Sequence, residues 1–144
     1  MAPLAYFDSS VLVKRYLHES GSPRAVRWLQ RRRPAASAVA SVEVTSALRR
    51  RRSAGEVSEA QFNSLLTLFR RDREHWELLE VSAEVLERAE SIIRQVPLRT
   101  LDALHLASAV LLGEALQRRL AFVTADARQH EVAEALGLEV VWIG

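Results

Sequence analysis

The sequence predicts an α/β fold, a three-layer α/β/α sandwich with a mostly parallel sheet of roughly five strands. Short apolar runs alternate with longer segments of helical periodicity along the whole chain. Strands separated by helices join through right-handed crossovers, which produce a parallel sheet covered by helices on both faces. Because 144 residues, 49% of them hydrophobic, are enough for one core, we expect a single domain over residues 1–144.

Each predicted strand is a short apolar run bounded by turn residues, too short to form a helix of ordinary length. Strands of this kind are typically buried on both faces of a parallel sheet. The predicted strands are residues 4–7, 35–39, 76–81, 120–124 and 138–143.

The predicted helices begin at capping residues and end near Gly or Pro. Ser41 and Thr100 are expected to cap the helices that follow them, because a side-chain oxygen at this position accepts a bond from the first helical turn. Leu86, Ala89 and Ile93 are expected to face the core from one helix. The predicted helices span about 9–19, 22–33, 41–54, 58–73, 83–95, 101–116 and 127–136.

The composition excludes several classes of function. The chain contains no cysteine, which rules out disulfides, cysteine-ligated zinc and thiol catalysis. No apolar stretch is long enough to cross a bilayer, and the N-terminal residues do not resemble an export signal. We therefore expect a cytoplasmic protein that does not associate with a membrane.

The charge is unevenly distributed, although the formal net charge is only +2. Residues 1–73 contain 14 Lys and Arg against 6 Asp and Glu, and residues 74–144 contain 6 against 12. Runs of basic residues attract phosphate backbones through counterion release, so nucleic acid is a candidate partner; a solvated helix face is the alternative. The basic runs are residues 31–33 and Arg49, Arg50, Arg51 and Arg52.

Four acids occupy similar places relative to the predicted elements. Asp8 follows the first strand and Asp126 the fourth, so both should reach the sheet edge where parallel strands end and ligands bind. Glu43 and Asp102 are expected in the first turns of two helices. Each acid by itself is explained by helix capping or by the helix dipole. Four carboxylates in one crevice, however, would repel each other unless a cation held them.

An all-oxygen set of ligands indicates a hard divalent cation. Since neither cysteine nor a pair of histidines at ligand spacing accompanies the acids, we expect Mg²⁺ or Mn²⁺ rather than zinc. Carboxylate-held divalent ions serve in phosphodiester hydrolysis, in which water is the attacking group. Ser9 and Thr124 could support a carboxylate or a phosphate, or could act only as a cap and a strand end. His105 is expected to be a buried, hydrogen-bonded structural residue.

The order and spacing of four motifs resemble those of a known family. The chain resembles PIN-domain proteins, and particularly the VapC-type toxins of bacterial toxin–antitoxin pairs, and the resemblance covers nearly its whole length. The motifs are Phe7-Asp8-Ser9-Ser10, Ser41-Val42-Glu43-Val44, Arg99-Thr100-Leu101-Asp102-Ala103-Leu104-His105-Leu106-Ala107 and Val123-Thr124-Ala125-Asp126.

This resemblance implies a Mg²⁺- or Mn²⁺-dependent endoribonuclease with the PIN-type sheet. It also implies a homodimer and a cognate antitoxin whose tail blocks the acidic pocket. The catalytic and metal-binding residues implied by the resemblance are Asp8, Glu43, Asp102 and Asp126.

Three other functions are considered. A non-catalytic module that binds nucleic acid or a partner would use the acids only to cap helices, and divalent ions would not affect it. A PIN-type nuclease acting on DNA is also possible, although the chain lacks an inserted clamp segment. Aspartyl-phosphate chemistry at Asp8 is disfavoured, because Ser10 occupies the place where such sites usually carry a second acid.

Overall fold

The computed structural model describes residues 2–144, which form a five-stranded sheet around a buried central strand. The order of the strands across the sheet is β3-β2-β1-β4-β5, and every neighbouring pair is parallel. The predicted α/β fold with roughly five parallel strands is therefore confirmed. The strands are β1 (Leu4–Phe7), β2 (Arg33–Ser37), β3 (Glu77–Leu79), β4 (Ala121–Thr124) and β5 (Glu139–Trp142).

Residues 2–144 also contain seven α-helices, which connect the strands in chain order. Two of them continue into short 3₁₀ turns, α1 into Val13–Arg15 and α7 into Glu134–Leu136. The helices are α1 (Ser9–Leu12), α2 (Ser22–Arg31), α3 (Val39–Ser53), α4 (Glu59–Arg73), α5 (Ala83–Gln95), α6 (Thr100–Leu116) and α7 (Ala127–Ala133).

The helices form two layers because the crossovers change direction across the sheet. The connections from β1 to β2 and β3 place α1 to α4 on one face, and those from β3 to β4 and β5 place α5 to α7 on the other. Side chains alternate along β1, so Phe7 packs into the hydrophobic core between the sheet and α1 to α4. Tyr6 packs into the core between the sheet and α5 to α7. The central strand β1 thus contributes to both cores, and Asp8, the residue that follows it, lies at the carboxyl edge of the sheet.

Two predicted helix starts are wrong. α3 begins at Val39 rather than at Ser41, because the Ser37 hydroxyl at the end of β2 accepts a bond from the Val39 N–H (3.3 Å). The first turn of α6 includes Thr100, and Arg99 is the capping position without a side-chain cap bond. The cap of α3 therefore lies three residues before the predicted Ser41, at Ala38, and that of α6 one residue before the predicted Thr100.

The predicted inward face of α5 is partly wrong. Ala89 is buried as expected, but Leu86 and Ile93 are 46% and 39% exposed, and Val85 and Ile92 are buried instead. Both sets of residues recur at helical spacing, so the hydrophobic pattern alone does not choose between them. The close packing of α5 on α6 selects the face.

Among the described residues, no single helix is both long and apolar enough to span a membrane. α5 and α6 satisfy the length and composition only as a pair bent by 116°.

Candidate active site

The four predicted acids line one cavity at the carboxyl edge of the sheet. The cavity has a volume of about 400 Å³ and opens between α1, α3, α6 and the start of α7. Parallel topology brings three of the four acids to this edge, because Asp8 and Asp126 directly follow β1 and β4 and α3 begins just after β2. Asp102 reaches the same edge in the first turn of α6. The residues around the cavity include Asp8, Ser9, Ser10, Val42, Glu43, Arg50, Arg99, Leu101, Asp102 and Asp126.

Asp8 is buried at the first position after β1. Its Oδ2 accepts a hydrogen bond from the Ser10 N–H (3.0 Å) and so caps α1, while its Oδ1 accepts a bond from Nε2 of Gln129 (3.0 Å). The backbone N–H of Asp8 donates to the carbonyl of Val123 (2.9 Å), which extends the pairing of β1 with β4. Capping and a place in the cavity are therefore compatible for this residue.

Asp126 occupies the corresponding place after β4. Its Oδ1 caps α7 by accepting from the Gln129 N–H (2.9 Å), and its backbone N–H donates to the Thr124 hydroxyl (3.0 Å). Its other oxygen, Oδ2, accepts a bond from Arg99 (3.2 Å). Thr124 thus supports the site through the backbone of Asp126 and does not face the cavity itself.

Gln129 connects the two aspartates, although the sequence pattern did not identify it. This fully buried side chain donates to Asp8 and accepts a bond from the Thr124 hydroxyl (2.7 Å), while its backbone N–H bonds Asp126. A glutamine in a short helix is usually a surface residue. The only signal in the sequence is its position three residues after the capping acid, where a side chain turns back toward the helix start.

Glu43 lies in the second turn of α3 rather than in the first, because this helix begins at Val39. Its Oε1 is 2.5 Å from Nε2 of His105, which is also 3.6 Å from Oδ1 of Asp8. His105 is buried and hydrogen-bonded, as predicted, but its partners include two of the four acids. It therefore belongs to the site as well as to the core.

The other ring nitrogen of His105 contacts Tyr6. The distance from Nδ1 to the Tyr6 hydroxyl is 2.7 Å, and the same hydroxyl accepts a bond from the Ser37 N–H (3.0 Å). This network fits a neutral imidazole whose Nδ1 accepts a hydrogen bond from the Tyr6 hydroxyl and whose Nε2–H donates to Glu43. A continuous chain of hydrogen bonds thus runs from the end of β2 through β1 and α6 to the cavity.

The electrostatics of the site follow from burial and from the crowding of like charges. Burial lowers the pKa of His105, but the bond to Glu43 and the negative charge of Asp8 outweigh this effect and raise the pKa above its usual value. Burial raises the pKa of Asp102, and the charges of Asp126 and Asp8 raise it further, against the opposing effect of Arg99. The cavity consequently favours positive charge.

Arg99 supplies positive charge from the rim and was not identified by the sequence pattern. Its Nε donates to Oδ2 of Asp102 (3.0 Å) and its Nη2 to Oδ2 of Asp126 (3.2 Å), so one guanidinium bridges two acids. The Arg99 side chain is 79% exposed, whereas that of Asp102 is only 11% exposed. Arg99 is therefore an exposed cation held over a mostly buried pair of carboxylates.

The donor chemistry fits a hard divalent cation, but the acids are not arranged as a ready-made metal site. Carboxylate oxygens are the ligands that Mg²⁺ and Mn²⁺ prefer. The raised pKa of Asp102 reflects its burial first and the neighbouring charges of Asp126 and Asp8 second. Within residues 2–144, no group of three His, Asp or Glu side chains is close enough to hold an ion as it stands. The acids instead bond the side chains of Arg99, His105 and Gln129.

The four arginines of α3 that are predicted to bind nucleic acid differ in their contacts. Arg50 lines the cavity, and Arg49 is exposed. Arg51 and Arg52 instead form ion pairs within the chain, so their charge is largely neutralised. Their partners are Glu19, Glu56 and Glu59, at distances of 2.8, 3.1 and 3.4 Å.

Known proteins resemble this chain in sequence over nearly its whole length. Ribonuclease VapC46 of Mycobacterium tuberculosis is 38% identical over 137 residues, which cover 94% of this chain and 95% of that protein. Ribonuclease VapC45 of the same species is 32% identical over 142 residues, which cover 96% and 94% of the two chains.

Solved structures share the fold at low sequence identity. FitAcB from Neisseria gonorrhoeae aligns over 97% of both chains with a TM-score of 0.69 and 15% identity. The DNA-bound VapBC of Salmonella typhimurium aligns over 100% of both chains with a TM-score of 0.68 and 15% identity. The PIN domain family model matches residues 5–135. Because this match includes all four acids and the strands that carry them, the chain belongs to the PIN-domain family, as the sequence motifs indicated.

Proposed function

We propose that this chain is a single-domain endoribonuclease that depends on Mg²⁺ or Mn²⁺ and acts in the cytoplasm as the toxin of a toxin–antitoxin pair. The observation that carries this proposal is the convergence of four carboxylates on one cavity of about 400 Å³ at the carboxyl edge of the sheet. The relatives named as ribonucleases, at 38% and 32% identity, support RNA as the substrate.

Asp8, Asp102 and Asp126 are the residues that would hold the ion, directly or through water. When bound, a divalent ion lowers the pKa of water and neutralises the charge that develops at the phosphorus. Glu43, which bonds His105, would complete the shell of the ion or orient and deprotonate the water that attacks the phosphodiester. No protein nucleophile is required, and the Ser9 side chain contributes to the cavity wall.

Arg99 and Arg50 are the basic residues that meet the substrate at the cavity. An ion bound by Asp102 and Asp126 would release Arg99 from these carboxylates, and its exposed guanidinium could then bind the RNA phosphate. Arg50 lines the same cavity from α3. Of the run from Arg49 to Arg52, Arg50 is therefore the strongest candidate for a substrate contact.

The non-catalytic alternative explains only part of the geometry. Asp8 and Asp126 do cap helices, as that alternative requires. Glu43 and Asp102, in contrast, bond the side chains of His105 and Arg99 rather than the start of a helix. Two of the four acids thus have contacts that capping does not explain.

We infer that the cognate antitoxin covers this cavity. Val42 is 72% exposed and Leu101 44% exposed, and both line the cavity beside the acids. A polypeptide tail could bury apolar side chains against these two residues while a basic group of the tail neutralises the carboxylates. Binding of this kind would exclude RNA from the cavity.

We also propose that the chain forms a homodimer. The apolar faces of α3 and α4 are used within the chain, where Val44, Leu48 and Phe69 are buried. Leu86 and Ile93 on α5 remain exposed and are the better candidates for a contact between copies. Sedimentation showing only monomer at micromolar concentration would exclude the dimer.

The proposed activity is tested with Asp8→Asn and Asp102→Asn, assayed on RNA and on DNA with Mg²⁺, with Mn²⁺ and with a chelator. Asparagine retains the capping oxygen, so Asp8→Asn should fold. Without metal, removing one charge from crowded carboxylates should leave the unfolding free energy level or raise it. We expect both variants to lose divalent-dependent RNA cleavage.

The matched control is Glu87→Gln, which removes an acid from the exposed surface of α5. This control should cleave RNA like the unmodified chain. Wild-type cleavage by either aspartate variant would contradict the proposed site, and preferential cleavage of DNA would favour the DNA nuclease instead.

A further inference from the structure

α2 has a strongly basic surface that the active site does not use. Arg24, Arg27 and Arg31 are exposed and lie three or four residues apart, which places them on one stripe of the helix. A pocket of about 420 Å³, similar in volume to the acidic cavity, lies beside this stripe. We call it the α2 pocket, and its lining residues are Pro3, Arg24, Arg27, Trp28, Arg31 and Arg32.

The arginines of the α2 pocket are not neutralised by carboxylates. Residues 22–32 contain no Asp or Glu, and in the described part of the chain no acidic side chain lies within 4.0 Å of these four guanidinium groups. The Arg24 guanidinium donates to the carbonyl oxygen of Trp142 instead. In contrast, Arg51 and Arg52 of α3 are paired with glutamates. α2 therefore presents four arginines without a carboxylate partner to an external anion, side by side around one pocket.

Trp28 gives the α2 pocket an aromatic wall. Its ring is half-buried against the core, and the Arg32 guanidinium lies 4.8 Å from the ring centroid. A tryptophan fixed by the core together with several arginines that lack carboxylate partners is the combination that single-stranded nucleic acid uses. Bases stack on the ring or on the Arg32 guanidinium that lies over it, and phosphates bind the other guanidinium groups. An acidic polypeptide would need the charges but not the aromatic surface.

The position of the α2 pocket relates it to the acidic cavity. Arg24 contacts the end of β5 at the carboxyl edge of the sheet, whereas Pro3 precedes β1 at the opposite edge. The stripe thus leads from the edge that contains the acids along the side of the molecule. Pro3 and Asp8 lie at opposite ends of β1, roughly 16 Å apart for five residues of extended chain. Only an RNA longer than the cavity itself could reach both sites.

We propose that the α2 pocket is a second binding site for single-stranded RNA, which holds the part of the strand that extends beyond the acidic cavity. This inference rests on the proposed function for the identity of the nucleic acid. The α2 pocket contributes affinity for long RNA and takes no part in bond cleavage. Since it binds phosphates and stacks bases without reading their edges, it adds little sequence preference.

The test measures binding separately from cleavage. Labelled single-stranded RNA is titrated with the full chain in the presence of a chelator, and fluorescence anisotropy is followed at several salt concentrations. The variant is Arg24→Gln, Arg27→Gln and Arg31→Gln combined. We expect its Kd to rise at least about ten-fold at low salt, and the slope of log Kd against log salt to fall by about 2, since each phosphate contact on a single strand contributes about 0.7.

A matched control removes the same charge elsewhere. This control is a triple variant at exposed positions of α4 and α5, outside both pockets. It combines Arg70→Gln, Arg71→Gln and Arg94→Gln. This control should keep the RNA affinity and the salt slope close to those of the unmodified chain. In cleavage assays, the α2 variant should cut a short oligonucleotide that fills only the cavity at the normal rate, and its KM should rise for a long RNA.

An unchanged Kd and slope, or equal losses in both triple variants, would overturn the α2 pocket as an RNA site. The proposal would also be overturned if the α2 variant bound RNA normally but no longer bound polyglutamate. That result would assign the pocket to an acidic protein partner. The two proposals fail separately. If the α2 variant binds RNA weakly but the unmodified chain never cleaves RNA, the pocket is retained and the nuclease is refuted. If cleavage requires Asp8 but the α2 variant binds RNA normally, the nuclease is retained and the pocket is refuted.

Discussion

Nε2 of His105 lies 2.5 Å from the carboxylate of Glu43, although 62 positions separate the two residues in the chain. The bond joins α6 to α3 across the cavity. The ring itself is fixed, because it is buried and its Nδ1 contacts the Tyr6 hydroxyl. Turning Glu43 away would leave a buried donor without an acceptor, which costs about 1–3 kcal/mol. His105 therefore sets the direction in which Glu43 presents its carboxylate.

Replacing His105 by Leu should reduce RNA cleavage about 10- to 100-fold, the usual effect of removing a partner that orients an active-site ligand. The substitution also removes the buried hydrogen bonds of the ring to Tyr6 and Glu43, so the unfolding free energy should fall. Single-turnover cleavage and urea unfolding measure the two effects. Ser108→Ala is the control, a buried polar change on the same helix whose hydroxyl bonds the Leu104 carbonyl and Tyr6 but none of the acids. Equal cleavage by both variants would show that His105 is only structural.

The sequence pattern predicts the sheet and the acids well because both depend on local signals. Asp8 and Asp126 directly follow apolar runs, and parallel topology then brings the ends of these runs together. The predicted start of α3 is wrong because the hydroxyl of Ser37, outside the helix, accepts a bond from the first turn in place of Ser41. The predicted start of α6 is wrong because that helix begins without a side-chain cap bond. Local capping rules do not include such tertiary contacts.

The partners of the acids could not be predicted in the same way. Gln129, Arg99 and His105 each touch an acid whose identity depends on how α3, α6 and α7 are placed around the cavity. A polar residue next to an acid in space has no periodic signature in the chain. The same limit applies to α5, where two hydrophobic stripes share Ala89 and only the packing on α6 decides between them.

Gln129 provides a test of how Asp8 is held. Gln129→Leu removes the donor to Asp8 and the acceptor for Thr124, so the unfolding free energy should fall by about 1–3 kcal/mol. Gln129→Glu retains the acceptor but places a second carboxylate beside Asp8. Repulsion and burial raise the folded-state pKa of the introduced carboxyl above its unfolded value near 4.3, so its stability deficit should appear as the pH rises above about 4.

Urea unfolding of both Gln129 variants between acidic and neutral pH measures this difference. The deficit of Gln129→Leu should stay nearly constant relative to the unmodified chain, because leucine does not titrate. Parallel pH profiles for the two variants would show that the carboxylate of Asp8 is not close enough to repel the new charge.

Arg99 should compete with divalent ions for the acidic pair. In Arg99→Gln, Asp102 and Asp126 lose their shared cation, so the rise in Tm produced by saturating Mn²⁺ should exceed that of the unmodified chain. Arg99 also opposes the upward shift in the pKa of Asp102. Without it that pKa should rise further, and Mn²⁺ affinity should depend more steeply on pH in the acidic range.

Thermal unfolding and titration calorimetry with Mn²⁺ test this prediction without relying on cleavage. Arg118→Gln, an exposed change beyond the end of α6, removes the same charge far from the acids and should leave the Mn²⁺ response unaltered. A smaller Mn²⁺ response in Arg99→Gln than in this control would mean that Arg99 assists ion binding rather than competing with it.

Asp72 forms a polar clamp away from the active site, and it predicts how stability depends on pH. Its carboxylate accepts two bonds from Arg15 (2.6 and 3.2 Å) and one from the Tyr16 hydroxyl (2.6 Å), which tie the end of α4 to the turn after α1. Burial raises the pKa of Asp72, but the bonds from Arg15 and Tyr16 outweigh this effect and lower the pKa below its usual value.

A carboxyl group with a lowered folded-state pKa stabilises the protein above its unfolded pKa, near 3.9, and this contribution is lost as the pH falls through the folded value. Asp72→Asn should therefore reduce the unfolding free energy by about 1–3 kcal/mol at neutral pH, and the difference should shrink below about pH 4. Glu74→Gln removes an exposed charge two residues away and should leave the acid profile unchanged. RNA cleavage per folded molecule should be normal in both variants, because the clamp does not line the cavity. A stability difference that persists unaltered into strong acid would show that the bonds to Asp72 do not depend on its ionisation.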